Sequence, residues 1–192
     1  PVDEHNTLAK PKPTAGRIEP MAPQTPLMSP LSRPLPSTPC GNGKEIILQG
    51  FNWESCNEKV TKGRTWYEVL TSQAPDIAKA GFTSIWMPPP TKSVSKQGYL
   101  PTDLYDLNSF YGTEDELRSC IARMREYNIT PVADIVINHR CAEAQDDAGR
   151  WNQYTGKIAW DARAVTCENP DFGGKGARGT GEDYLPAPNI DH

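Results

Sequence analysis

The sequence predicts an α/β fold, the opening part of a parallel (β/α)8 TIM barrel, and three observations carry that reading. Strand and helix patterns alternate between residues 43 and 139 in the order strand, helix, strand, helix, strand, which implies parallel pairing with right-handed crossovers. The third strand, within Pro131-Val-Ala-Asp-Ile-Val-Ile-Asn-His-Arg140, is almost wholly β-branched or apolar from Val132 to Ile137. Such a run is expected of a strand covered on both faces. The first strand is followed by Gly50-Phe-Asn-Trp-Glu54, which lacks the GxGxxG phosphate loop of an open doubly wound sheet. That sheet is the alternative architecture, and the missing loop favours the barrel. A complete barrel takes about 250 residues, so only its first three strands and two helices are expected here.

Residues 1–42 come first, as an extended or disordered leader. Ten of the 19 prolines lie between Pro1 and Pro39, with little periodicity around them. The chain opens on Pro1 with no cleavable secretory signal, which reads as a processed protein or a fragment. Residues 43–139 form the barrel portion. Glu45-Ile-Ile-Leu-Gln-Gly-Phe51 is the first strand. Thr65-Trp-Tyr-Glu68 is a capping box opening a helix, with Trp66, Leu70, Ala74 and Ile77 as its apolar stripe. Pro75 is expected to kink or restart that helix, because proline has no N–H to donate. Gly81 ends it, and Phe82 to Met87 is a second strand stopped by Pro88-Pro-Pro90. A loop follows to Tyr111. Thr113-Glu-Asp-Glu116 is a second capping box, placing Leu117, Cys120, Ile121 and Met124 on one helical face, and Asn128 is a stop before the third strand. From residue 140 to 192 the periodicity is lost. A loop-rich inserted domain is expected, with Trp151, Tyr154, Trp160, Phe172 and Tyr184 as anchors.

The composition narrows the partners. A net charge of −4 argues against a nucleic-acid or anionic-membrane surface, and no apolar run is long enough to span a bilayer. Five cysteines without a CxxC pair read as scattered buried thiols in a reducing compartment.

In a barrel enzyme the C-terminal strand ends hold the site. With a period of two, Asp134, Val136 and Asn138 share one face of the third strand, while Ala133, Ile135 and Ile137 share the other. A carboxylate and an amide on an otherwise apolar strand are costly to bury without partners. Asn138 offers a neutral oxygen of the kind calcium takes, or it caps the strand by bonding loop backbone; the residues alone leave both open. His139 could bind a substrate hydroxyl or act as a base, against a bland reading in which backbone satisfies it. Asp134 reads as the structural partner of a buried arginine more readily than as a catalytic group. Tyr99, fixed between Gly98 and Pro101, could present its ring to a sugar face or simply anchor its loop. The acidic residues Asp146, Asp147, Glu182, Asp183 and Asp191 read by default as solvated surface.

Taken together, Gln49-Gly-Phe-Asn-Trp-Glu-Ser55, Ile85-Trp-Met-Pro-Pro-Pro90, Gly98-Tyr-Leu-Pro-Thr-Asp-Leu-Tyr105, Asp134-Ile-Val-Ile-Asn-His139 and Ala187-Pro-Asn-Ile-Asp-His192 resemble plant-type α-amylases of the α-amylase glycoside hydrolase family. The resemblance runs from about Gly43 to His192. It implies a (β/α)8 barrel with an inserted calcium-binding domain beginning near Arg140. It further implies that Asn138 is a Ca2+ ligand together with Asp183, that His139 and Tyr99 bind the sugar at the cleavage subsite, and that Asp134 supports the active site. The implied activity is endohydrolysis of α-1,4 bonds in starch and related glucans with retention, by a monomer. A non-catalytic amylase-like starch-binding or regulatory protein is the alternative. The family's nucleophile, acid/base and third carboxylate fall on later strands, so no catalytic residue is assigned to this chain, and the chain alone is expected to be inactive. Two departures, Gly179 and Asn189 where secreted cereal relatives carry Asp, remove carboxylates and point to fewer calcium sites. The form with Asn189 looks closer to a plastid or other intracellular branch, with a cytoplasmic location as the alternative.

Overall fold

A computed structural model describes residues 41, 43–182 and 184–192. The expected leader therefore lies outside the described residues apart from Gly41, and so does Asp183. Between these limits the element order is β1 (Ile47–Gln49), α1 (Glu58–Thr61), α2 (Trp66–Lys79), β2 (Ser84–Trp86), β3 (Lys92–Ser93), β4 (Pro101–Asp103), α3 (Glu114–Glu126), β5 (Thr130–Val132), β6 (Ala144–Gln145) and β7 (Trp151–Gln153), then a 3-10 turn at Ala162–Ala164. β1, β2 and β5 form one parallel sheet in that order, with Ile47 opposite Ser84 and Ser84 opposite Thr130. Sequential strands as neighbours, with α2 and α3 as their crossovers, are the opening of a (β/α)8 barrel.

Both helix starts follow from their sequences. Thr65 accepts from the Glu68 amide while the Glu68 carboxylate accepts from the Thr65 amide, and Thr113 and Glu116 repeat the arrangement. Asn128 takes the left-handed conformation, with φ of 58°, that ends the turn after α3. The core lies between the helices and one face of the sheet. Tyr67, Leu70, Ala74 and Ile77 of α2 meet Ile85, Leu117, Cys120, Met124 and Ile129. Gly50 admits no side chain, because a Cβ there would stand 2.7 Å from the Ile85 side chain.

Four expectations are corrected. Pro75 does not restart α2, which runs unbroken through it; buried Leu70, Ala74 and Ile77 outweigh one lost backbone bond. Tyr67, rather than Trp66, is the buried aromatic at the start of that helix, and Trp66 instead donates its indole N–H to the Gly50 carbonyl at 2.7 Å. The loop between the second strand and α3 contains an antiparallel β3–β4 hairpin, and a second hairpin, β6–β7, follows His139. Most consequential, the third strand is not covered on both faces. Its paired part is only Thr130–Val132, and Ile135 and Ile137 are 60% and 57% exposed. β5 sits at the sheet edge, so apolar composition there is not matched by a second neighbour among the described residues.

The chain beyond β5 folds back on the strand end. His139 bridges Asn189 and Val165 bridges Ile190, with the Ile190 amide donating to the Asn138 carbonyl at 2.9 Å and the Cys141 amide to the Pro101 carbonyl at 2.8 Å.

Candidate functional site

The inward face of the sheet carries the site. Register places Gln49, Trp86 and Val132 side by side on the face opposite half-buried Leu48, buried Ile85 and half-buried Pro131, and Asp134, two residues past Val132, bonds Trp86 on that face. Asp134 is half-buried, and its Oδ2 accepts two hydrogen bonds, from the Tyr99 hydroxyl at 2.8 Å and from the Trp86 indole N–H at 3.1 Å. Among the described residues no arginine bonds it, which corrects the expected Arg partnership. The buried arginine among the described residues is Arg140, and backbone carbonyls hold it instead.

Tyr99 is placed by its loop. Gly98 takes a φ of 84°, and a Cβ there would stand 2.8 Å from Pro89, so glycine is required for the close approach. Burial, reinforced by the Asp134 carboxylate, pushes the Tyr99 hydroxyl up to about 12, so it stays a donor at neutral pH. The same residue's carbonyl holds His139, whose Nε2 lies 2.7 Å from it. A carbonyl only accepts, so His139 carries its proton on Nε2. The ring of His139 stacks on Tyr184, with centroids 4.1 Å apart and planes 23° apart. Tyr99, Asp134 and His139 are thus brought together. The backbone satisfies one nitrogen of His139, as the bland reading had it.

Asn138 is exposed and donates its amide to the Asn189 side-chain oxygen at 3.0 Å; Asn189 in turn donates to the Glu182 carbonyl at 3.1 Å. An aspartate at 189 would keep the first bond and lose the second, having no N–H. Calcium takes six to eight oxygens. Among the described residues no group of three or more His, Cys, Asp or Glu is placed to hold a metal ion. The Asn138 amide oxygen and the Glu182 carbonyl are ligands of the right chemistry, but they do not amount to a calcium shell by themselves.

Arg140 closes the floor beneath His139. Its guanidinium, 2% exposed, donates to the carbonyls of Thr102, Thr155 (2.9 Å) and Ile158 (3.2 Å), and lies 5.0 Å from the Tyr154 ring centroid and 4.9 Å from that of Trp160. Five planar donors and a weakly hydrated face suit this position. Burial pulls its pKa down while Glu143 opposes the shift. Sequence reasoning missed Arg140, Trp86 and Tyr184. Trp86 left a signal, since it lies at a strand end on the same face as Asp134, and Tyr184 was expected only as an anchor of the inserted segment. Of the cysteines, Cys56 and Cys120 are unpaired thiols pushed up to about 11 by burial, whereas Cys167 is exposed, against the expectation that all were buried.

Comparison with known proteins gives this geometry a context. Residues 66–158 match the family described as "Alpha amylase, catalytic domain". The chain is 46% identical over 156 residues to "Alpha-amylase 3, chloroplastic" of Arabidopsis thaliana, covering 81% of this chain and 17% of that protein. It is 45% identical over 152 residues to "Probable alpha-amylase 2" of the same plant, covering 79% of this chain and 35% of the relative. An alpha-amylase of Bacillus licheniformis is 34% identical over 113 residues, 53% of this chain and 21% of that protein. The chain therefore spans between about a sixth and about a third of the length of the two plant proteins.

Proposed function

We propose, from a chain that is a relative of the plant alpha-amylases, that it supplies the glucan-binding part of an enzyme that cleaves internal α-1,4 bonds of starch with retention of configuration. The observation that carries this reading is the Tyr99–Asp134–His139 group at the C-terminal end of parallel strands. A sugar offers an apolar ring face to an aromatic side chain and hydroxyls to polar ones. Tyr99 presents a ring whose hydroxyl is already engaged. His139, protonated on Nε2, keeps Nδ1 as an acceptor, 3.4 Å from the Asn138 side-chain amide nitrogen, whose contact a sugar hydroxyl would replace. Asp134 holds Tyr99 in place.

Retaining cleavage uses two carboxyl groups about 5 Å apart, one as nucleophile and one as acid/base. In this reading both belong to sequence outside this chain, and Asp134 positions rather than reacts. Residues 43–139 form the barrel portion and residues 140–192 the calcium-binding insertion. Asn138, through its amide oxygen, and Asp183, through its carboxylate, would hold the ion, which would tie the insertion to the strand end. The chloroplastic relative and the unpaired thiols support a plastid or other intracellular location, testable by following a fluorescent fusion of the complete protein.

The test has two arms. The 192-residue chain is expected to bind maltoheptaose and to release no reducing ends from soluble starch. The complete protein is expected to hydrolyse starch and give the α-anomer first by proton NMR. Binding that survives Tyr99→Ala together with His139→Ala would sink the assigned site. First appearance of the β-anomer would sink the retaining mechanism. If the complete protein binds starch without cleaving it, the non-catalytic starch-binding role replaces the hydrolase.

A further inference from the structure

We infer that Tyr184 is a positioning residue for His139: its ring fixes the plane of the imidazole, and with it the direction of Nδ1, so that the segment after β7 takes part in glucan binding. The inference rests on the glucan-binding role proposed above. A single hydrogen bond does not orient a ring. The 2.7 Å bond from Nε2 of His139 to the Tyr99 carbonyl fixes one corner of the imidazole and leaves its plane free to turn about that corner. Tyr184 removes that freedom. Its ring lies 23° from parallel to the imidazole with centroids 4.1 Å apart, a face-to-face contact. Corner and plane together leave Nδ1 one direction, 3.4 Å from the Asn138 side-chain nitrogen. Rings that meet inside a core are ordinary packing. Here both residues are half-buried, and Tyr184 belongs to neither apolar cluster among the described residues. Its ring contact goes to His139 instead of to a core.

Backbone bonds bring Tyr184 back to the strand end from far along the chain. The Ile190 amide donates to the Asn138 carbonyl at 2.9 Å and the Arg140 amide to the Pro188 carbonyl at 3.3 Å, so residues 188–190 run beside His139. The turn that carries Tyr184 is closed on itself. Asn189 donates its side-chain amide to the Glu182 carbonyl at 3.1 Å, and the Ala187 amide donates to the Tyr184 carbonyl at 3.3 Å, with Ala187 and Pro188 buried. None of these bonds involves the ring of Tyr184 or of His139. The two rings are set against one another by their supports, and an imidazole already oriented loses little freedom on binding. An imidazole free to turn offers either nitrogen to the Tyr99 carbonyl, and its tautomer then ceases to be unique. That difference can be measured.

The experiment titrates the full 192-residue chain with maltoheptaose by calorimetry and reads the His139 nitrogens by two-bond proton–nitrogen NMR, with His139→Ala identifying the signals. The spectra are taken at about pH 8, above the ordinary imidazole range. The native chain is expected to show one tautomer, with the proton on Nε2. Tyr184→Ala is expected to weaken binding about fivefold and to move both nitrogens toward the average of the two tautomers. Tyr184→Phe, which keeps the ring, is expected to retain the native affinity and the native tautomer. Unchanged affinity in Tyr184→Ala overturns the positioning role while leaving the glucan-binding site standing. Weaker binding with a native tautomer also overturns it, since Tyr184 then acts on the sugar and not through His139. Equal loss in Tyr184→Phe and Tyr184→Ala overturns the stacking contact in favour of the hydroxyl. Loss of hydrogen-exchange protection at the Ile190 amide in Tyr184→Ala makes the residue a support of the whole segment and overturns the role as well. A native chain that binds no maltoheptaose overturns the glucan-binding reading, and the positioning role with it.

Discussion

Ile85 belongs to an apolar cluster with Leu70 and Ala74 from one helix, Met124 from the other and Ile129 from the approach to β5. Around Arg140 the opposite holds, with a buried guanidinium donating to three backbone carbonyls that come from β4 and from the turn after β7. The helix-covered sheet is held by surface removed from water, which needs no particular geometry. The segment after His139 is held by a few directional bonds and a small apolar cluster of Tyr154, Val165 and Ile190. The first kind of core tolerates exchange of one apolar side chain for another. The second depends on single residues.

The sharpest way to break that comparison is at Arg140. Arg140→Met keeps the volume and strands three carbonyls, for an expected cost of about 3–5 kcal/mol confined to the later segment. Hydrogen exchange should show the Ile190 and Tyr154 amides losing protection while those of α2 and α3 keep theirs. If both regions lose protection together, the distinction between the two cores is wrong. Ile85→Ala tests the other side. It removes a fully buried side chain for about 2–4 kcal/mol and should lower the whole melting transition rather than one segment.

How much of this was legible in the sequence follows from the same contrast. Both capping boxes were readable because Thr and Glu at cap and N3 act within one turn, with no help from distant chain. The stripe of α2 was readable for the same reason, apart from the exchange of Trp66 for Tyr67. The extent of β5 was over-read because apolar residues state what a strand would like to bury and say nothing of whether a neighbour is present. Tyr99, Asp134 and His139 were legible as candidates through strand periodicity and loop chemistry, but their mutual bonds, formed across 35 and 40 residues, were not. Arg140 was invisible, since a charged residue in a loop gives no local sign that carbonyls will surround it.

Two smaller effects sharpen the comparison further. Thr65→Ala removes the cap of α2 and should cost about 1 kcal/mol, read as a lower midpoint in urea with an unchanged slope. Tyr99 sets a pH signature. Its hydroxyl titrates higher in the folded chain, near 12, than in the unfolded chain, near 10. The folded state then holds the extra proton between those values. The contribution is complete below pH 10 and is lost as pH rises through 12. Tyr99→Phe should remove that alkaline component from the stability profile, and an unchanged profile would mean that folding does not raise the Tyr99 hydroxyl.

The bridge between His139 and Asn189 has a further consequence, in the order of folding events. The side-chain bond from Asn138 to Asn189 spans 51 residues, whereas the caps of α2 and α3 each close over three. Loop-closure entropy grows with the length enclosed, and contacts of high sequence separation slow folding. The helices therefore can organise before the far end of the chain arrives, while the wall around His139 waits for residues 184 to 190. During synthesis the site is the last part of this chain to take its form, because the partner of Asn138 leaves the ribosome about fifty residues after Asn138 itself.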